Sequence, residues 1–180
     1  MEKITHQGSI IEVVQREVEQ NGKTKVFEFA RRSPGTRLII SKDGKILLTK
    51  EFRNELEGYD YRLPGGKVYD TLNEYNSALA SGTDIAEAAK RAALKEAKEE
   101  VGVEANGAEF LHKSVCGATV VWDLFYFVIT EFTQAEQELE DGEDITAGWY
   151  TPEQVRAMCM SGEVSEERSA LVLLRFLSHD

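Results

Sequence analysis

Cysteine is almost missing from this chain. Cys116 and Cys159 are the only two in 180 residues and lie 43 positions apart. They form neither a CxxC pair nor a zinc-ligand spacing, so the expectation is two reduced, buried thiols in a cytoplasmic protein. Histidine is equally scarce. His6, His112 and His179 are scattered, and none has a partner at catalytic spacing. Proline occurs only at Pro34, Pro64 and Pro152. Positive charge is in deficit: 21 Lys and Arg against 32 Asp and Glu give a net charge of −11. Without a basic stripe, general binding to a nucleic-acid backbone is excluded. No apolar run approaches the length of a membrane span. Met1–His6 also lacks the apolar stretch of a signal peptide.

What is present suits one packed domain. The hydrophobic share is 42%, enough for an ordinary core and too much for whole-chain disorder. Residues 3–30 read as strands. Ile10–Val14 is β-branched, Lys25–Phe29 alternates, and Asn21-Gly22 between them signals a hairpin. Thr36–Ile40 and Lys45–Thr49 read as strands joined at Asp43-Gly44. Glu55–Asp60 reads as a loop, and Pro64-Gly65-Gly66 stops any regular element. Residues 67–82 are weakly patterned. Thr83 or Asp84 can cap a helix rich in Ala, Glu and Lys that runs to Val101, with Gly102 at its end. Phe110–Val115, Val120–Thr130 and Gly148–Tyr150 read as strands, and Pro152–Met160 and Glu166–Leu177 as helices. This order predicts an α+β fold with a mixed sheet packed between helices.

One segment carries chemistry. Glu96, Glu99 and Glu100 stand at i, i+3 and i+4, so a helix places them on one face at its last turn. Carboxylates are hard ligands suited to Mg²⁺ or Mn²⁺. A solvated Glu/Lys/Ala face has the same spacing, because like-charged neighbours cost only about 0.2–0.5 kcal/mol. Spacing alone leaves both readings open.

The wider string settles on a family. Gly65-Gly66, then Glu87-x7-Lys95-Glu96-Ala97-x-Glu99-Glu100-x-Gly102-Val103, resembles the Nudix box, G-x5-E-x7-R-E-U-x-E-E-x-G-U with U a bulky aliphatic. Three departures stand out. Gly66 to Glu87 spans 21 positions where the family has six, so residues of about 67–82 are an insertion. Lys95 replaces the arginine and loses its planar fork. Ala97 replaces a larger aliphatic residue. The apolar residues of the insertion, Tyr69, Leu72, Tyr75 and Leu79, suit either a lid or a dimer contact.

The resemblance implies a Nudix α/β/α sandwich over residues 36–180, and Mg²⁺-dependent hydrolysis of a nucleoside diphosphate linked to another moiety, with Mn²⁺ as an alternative ion. It assigns metal binding to Glu96, Glu99, Glu100 and the Gly65 carbonyl. The rest of the chain resembles the ADP-ribose and nucleotide-sugar pyrophosphatase branch. There Glu51-Phe52-Arg53 matches Q-[YF]-R, which makes Arg53 a substrate contact. Leu139–Ile145 resembles an acidic loop, which implies Glu143 as a further metal ligand and Asp141 or Glu140 as the water-activating base, alongside Glu99. Arg62 stands where the branch has glutamate, and could meet a phosphate or pair with Asp60 or Glu57. Residues 1–35 read as an N-terminal β extension of the kind that swaps across a homodimer. The alternative to a pyrophosphatase is a non-catalytic Nudix-like module that binds a nucleotide as a sensor. A structural α+β domain with a solvated Glu helix is the third reading.

Overall fold

The computed structural model describes residues 2–53, 56–139 and 144–178. The chain opens with strands β1 (Glu2–Gln7), β2 (Glu12–Gln20) and β3 (Lys23–Arg31), then β4 (Gly35–Lys42), β5 (Lys45–Arg53) and β6 (Gly58–Arg62). Helices α1 (Leu72–Ser81) and α2 (Ile85–Val101) follow. Next come β7 (Val103–Glu104), β8 (Glu109–Ser114), β9 (Val120–Val121), β10 (Leu124–Ile129), β11 (Thr133–Gln134) and β12 (Ile145–Tyr150). Helices α3 (Pro152–Ser161) and α4 (Glu167–Phe176) close the chain. Both hairpin signals hold. Asn21-Gly22 and Asp43-Gly44 have positive φ at both residues, as a tight turn between twisted strands demands.

The strands form two main sheets. The central one runs β12-β5-β4-β10-β8, with β6 on β5. Only β4 and β10 pair in parallel; the other pairs are antiparallel. Side chains alternate across it. Leu38, Ile40, Phe125 and Phe127 pack on α2, while Ile39, Leu124 and Tyr126 pack on α3 and α4 with Val155 and Leu173. The architecture is therefore the expected mixed sheet between helices. Leu173 is fully buried, so Leu173→Ala carries the usual cost of about 2–5 kcal/mol.

The N-terminal sheet runs β1-β2-β3-β9. Much of it is exposed, including Ile4, Val18, Val26 and Phe27, as are Ile10 and Ile11 in the turn between β1 and β2.

Several sequence expectations need correction. Val120–Thr130 is not one strand. It breaks at Trp122-Asp123, so β9 joins β3 and β10 joins β4. A continuous apolar pattern cannot reveal such a change of partner. Gly58–Asp60 is strand rather than loop, because β5 extends to Arg53 and supplies an edge for it. Cys116 is exposed rather than buried, and Cys159 is half-buried, where desolvation raises its thiol pKa. Trp149 on β12 is over a third exposed and stacks on Phe132.

The insertion contains helix α1, closed at its start by a capping box between Thr71 and Glu74. It packs on the N-terminal sheet. Buried Glu12 accepts hydrogen bonds from Arg31 Nε at 2.6 Å and from Asn76 Nδ2 at 2.9 Å. Arg31 also donates to Asn76 Oδ1 and to Glu2. Asn76 thus bonds both members of a buried ion pair. This satisfaction is what makes the burial tolerable.

Candidate active site

Helix α2 owes its position to its alanines. Ala89, Ala93 and Ala97 are fully buried, and their small side chains let the helix lie close to the sheet. Ala97, the apparent weakness of the motif, belongs to this stripe. Asp84 caps the helix by accepting from the Ala86 and Glu87 amides, and Gly102 ends it with φ of 60°. Glu96 and Glu100 flank this stripe at the last turn, with Glu99 further round the helix, and all three are half-buried. Glu87 lies in the first turn and is exposed, away from this cluster.

The glycine segment is held against β4. Leu38 donates its amide to the Pro64 carbonyl and Thr36 to the Gly66 carbonyl, each at 2.9 Å. This places Gly65-Gly66 directly under α2. The Gly65 amide donates to Glu100 Oε2 at 2.6 Å. A Cβ built on Gly66 would stand 2.0 Å from Glu96 Oε1, and one on Gly65 2.1 Å from the Thr36 carbonyl oxygen. Glycine is required at Gly65, where the obstacle is backbone and φ is 144°; at Gly66 the obstacle is the Glu96 carboxylate, so a side chain there would displace that group.

Around this floor lies a cavity of about 250 Å³ lined by Glu96, Glu99, Glu100, Glu51, Arg53 and Asp70, with Lys95 at its rim. The predicted Glu96, Glu99, Glu100, Gly65 and Arg53 thus share one site. Glu51 and Asp70 are additions. Asp70 was hidden in the weakly patterned insertion, and Glu51 stands where the branch motif has glutamine. Lys95 pairs with Glu99 at 2.9 Å, so the lysine still braces a box glutamate. Arg53 pairs with Glu51 at 2.7 Å, while its buried Nε has no hydrogen-bond partner among the described residues. Glu140, Asp141 and Glu143 lie outside the described residues. The flanking segments are anchored beside the site: Glu138 donates its amide to the Glu99 carbonyl, and Gln137 bonds the carbonyls of Glu100 and Ile145.

The donor set fits a hard divalent cation in kind, being carboxylates at a floor that admits close approach. Among the described residues, no three carboxylates are already gathered on one point.

On the other side of Gly65-Gly66 lies a second cavity, of about 400 Å³. Its wall holds Arg32, Arg37, Arg53, Arg62 and Lys67, with Trp122 beside them. Arg62 does pair with Asp60, the structural one of its expected alternatives, and also lines this cavity. Asp60 accepts from the Ser165 amide as well. Arg37 makes a two-pronged pair with Glu166, each contact 2.9 Å. Burial alone would lower the Arg37 pKa, but the Glu166 carboxylate overrides it and the net shift is upward. For Glu166, burial pushes up and Arg37 pulls down, and the net shift is below the ordinary 4.5. Sequence reading missed Arg32 and Arg37, since neither carries a motif.

The family model of the NUDIX domain matches residues 31–169. No curated protein matches the chain by sequence. Among solved structures, a crystal structure of an ADP compounds hydrolase superposes with a TM-score of 0.70 at 20% identity, over 99% of this chain and 90% of that one. At such identity the likeness speaks for the fold, and that fold is the one described above. With the family model matching most of this chain, and the box glutamates lining one cavity with the glycine floor, the chain belongs to the Nudix family of pyrophosphohydrolases.

Proposed function

We propose that this Nudix pyrophosphohydrolase cleaves the diphosphate linkage of a nucleoside diphosphate derivative, with ADP-ribose or a nucleotide sugar first among them. The observation that carries the reading is the single cavity shared by Glu96, Glu99, Glu100, the glycine floor and Arg53. The solved neighbour, an ADP compounds hydrolase by name, points the same way.

The chemistry follows from charge. A diphosphate approaching four glutamates and an aspartate is repelled. Two unit charges 4 Å apart interact by about 4 kcal/mol at an effective dielectric of 20. Glu96, Glu99 and Glu100 would hold Mg²⁺, with Mn²⁺ as the alternative, and Glu143 of the acidic loop is proposed to join them. Such an ion, when bound, polarises phosphoryl oxygens and lowers the pKa of water. The chain's own groups do the remaining work. Arg53 contacts a phosphate through its orphaned Nε. The Gly65 amide orients Glu100, and Lys95 orients Glu99. Asp141, or Glu140, is proposed to take the proton from the attacking water, with Glu99 as the described alternative.

Two further parts belong to this reading. Residues 1–35 form an extension outside a Nudix domain of residues 36–180, and the exposed apolar side chains of its sheet serve a homodimer. A cytoplasmic location goes with cysteines that form no disulfide. Among the described residues, no helix is long and apolar enough to cross a membrane.

The test is turnover over a panel of ADP-ribose, nucleotide sugars, dinucleotides and nucleoside triphosphates, with and without Mg²⁺. Metal-dependent release of a nucleoside monophosphate from a diphosphate-linked substrate is expected. Binding without turnover across the panel, in folded protein, would replace the enzyme with a sensor module. Light scattering of the same sample tests the dimer.

A further inference from the structure

The second cavity has no carboxylate among its described lining residues, and the carboxylates around it answer only part of its positive charge. Arg37 is matched by Glu166, Arg62 by Asp60 and Arg53 by Glu51. Among the described residues, neither Arg32 nor Lys67 has a carboxylate within ion-pair distance. The Arg32 guanidinium lies 4.3 Å from the centroid of the Trp122 ring, and Arg168 lies 4.4 Å from the same centroid. Trp122 is therefore engaged by two cations, which argues against its stacking on a nucleobase. Arg168 also keeps a buried Nη2 with no hydrogen-bond partner among the described residues. Burial lowers the Arg32 pKa, and the positive charges of Arg37 and Arg168 lower it further, with Glu166 opposing. An anion at this place would relieve that repulsion. In a chain of net charge −11, a local surplus of cations inside a cavity is not a by-product of composition.

The two cavities are continuous in their lining. Both include Arg53, Gly65, Gly66 and Lys67. One extended ligand can therefore have its diphosphate at the carboxylate cavity and another of its groups at the cationic one. Two unanswered cations match the charge of about −1.5 to −2 on a phosphate monoester at neutral pH. A guanidinium fork suits its oxygens.

Resting on the pyrophosphatase reading, we infer that the substrate carries a phosphate monoester in addition to its diphosphate, and that Arg32 and Lys67 are the residues that select for it. The enzyme then acts on a phosphorylated dinucleotide or a similarly substituted nucleoside diphosphate, and discriminates against the same molecule without the extra phosphate.

The experiment measures binding of matched pairs by calorimetry with Ca²⁺ in place of Mg²⁺, so that a hard cation still neutralises the carboxylates, and the ligands are checked for cleavage afterwards. The pairs are NADPH with NADH, and coenzyme A with dephospho-coenzyme A. Wild-type protein should bind the phosphorylated member of at least one pair about tenfold more tightly. Arg32→Gln and Lys67→Gln should each shrink that ratio. Lys67 is exposed, so its variant guards against a misfolded Arg32 variant. Equal affinity within both pairs, no binding of any of the four, or a preference that persists in both variants would overturn the inference. Turnover of the unphosphorylated members with Mg²⁺ is scored separately. Its absence would count against the pyrophosphatase reading alone.

Discussion

The two cavities on either side of Gly65-Gly66 are built by opposite means. The carboxylate cavity takes its three box glutamates from one turn of one helix, within five consecutive residues. The cationic cavity collects Arg32 from beyond β3, Arg37 from β4, Arg53 from the end of β5 and Arg62 from β6. Its ion pairs reach as far as Glu166, 129 positions from Arg37. The first is a local device laid on a finished fold. The second is part of what holds the fold together, because Arg37 and Asp60 tie the start of α4 to the sheet. Damage to the two should therefore show differently, one as lost chemistry and the other as lost stability.

The largest effect is expected from Glu100→Gln. It should lower kcat/KM by roughly 10³-fold, the several kcal/mol that metal-based charge stabilisation supplies. Its Tm should stay within a few degrees of wild type. A large fall in Tm would erase the contrast between the cavities.

Arg37→Met tests the other side. Breaking a buried pair costs about 3–5 kcal/mol, because Glu166 is left buried and uncompensated. Denaturant titration should show that loss. The double variant Arg37→Met with Glu166→Leu should recover most of it.

Gly66→Ala is the intermediate case. Its Cβ would clash with the Glu96 carboxylate, a flexible group that can swing away. Misplacement of about 1 Å can cost up to 10²-fold in rate, so activity should fall 10- to 100-fold while the fold survives.

Acid titration sharpens the comparison further. The Glu166 pKa is depressed in the folded state, so its stabilisation is present above the ordinary 4.5 and is lost as pH falls below it. Thermal melts from pH 6 to pH 3 should show this decline in wild type. The decline should be shallower in Arg37→Met, which lacks the cation that depresses the pKa.

The smallest effect concerns the insertion. Asn76→Ala removes one bond to Glu12 and one from Arg31, and should cost about 1–3 kcal/mol where the partners stay buried. Unchanged stability would mean that α1 is only loosely bound to the N-terminal sheet.

The same contrast explains what could be read in advance. Glu96, Glu99 and Glu100 were legible because helical spacing converts sequence distance directly into a shared face. The bounds of α2 were legible from Asp84 and Gly102, which act locally. Arg32 and Arg37 were not, since only strand pairing brings them to Arg62 and Lys67. Helix α1 was missed because its buried side is small, Leu72, Tyr75 and Ala78, so its periodicity is weak. The break at Asp123 was missed because both halves of that segment are apolar strand and only their partners differ.

That break bears on how the molecule reaches its native state. Val120 pairs with Ala30, and Leu124 with Gly35, across 90 and 89 positions. The hairpins β2–β3 and β4–β5 need only their own turns and can form at once. The two parallel pairings must wait for a long loop to close, and both are completed by the same short stretch of chain. Pairings of such sequence separation slow folding. The N-terminal sheet and the central sheet should then become locked in a single late event. A ribosome that has not yet released residues 120–129 would carry two preformed hairpins and no active site.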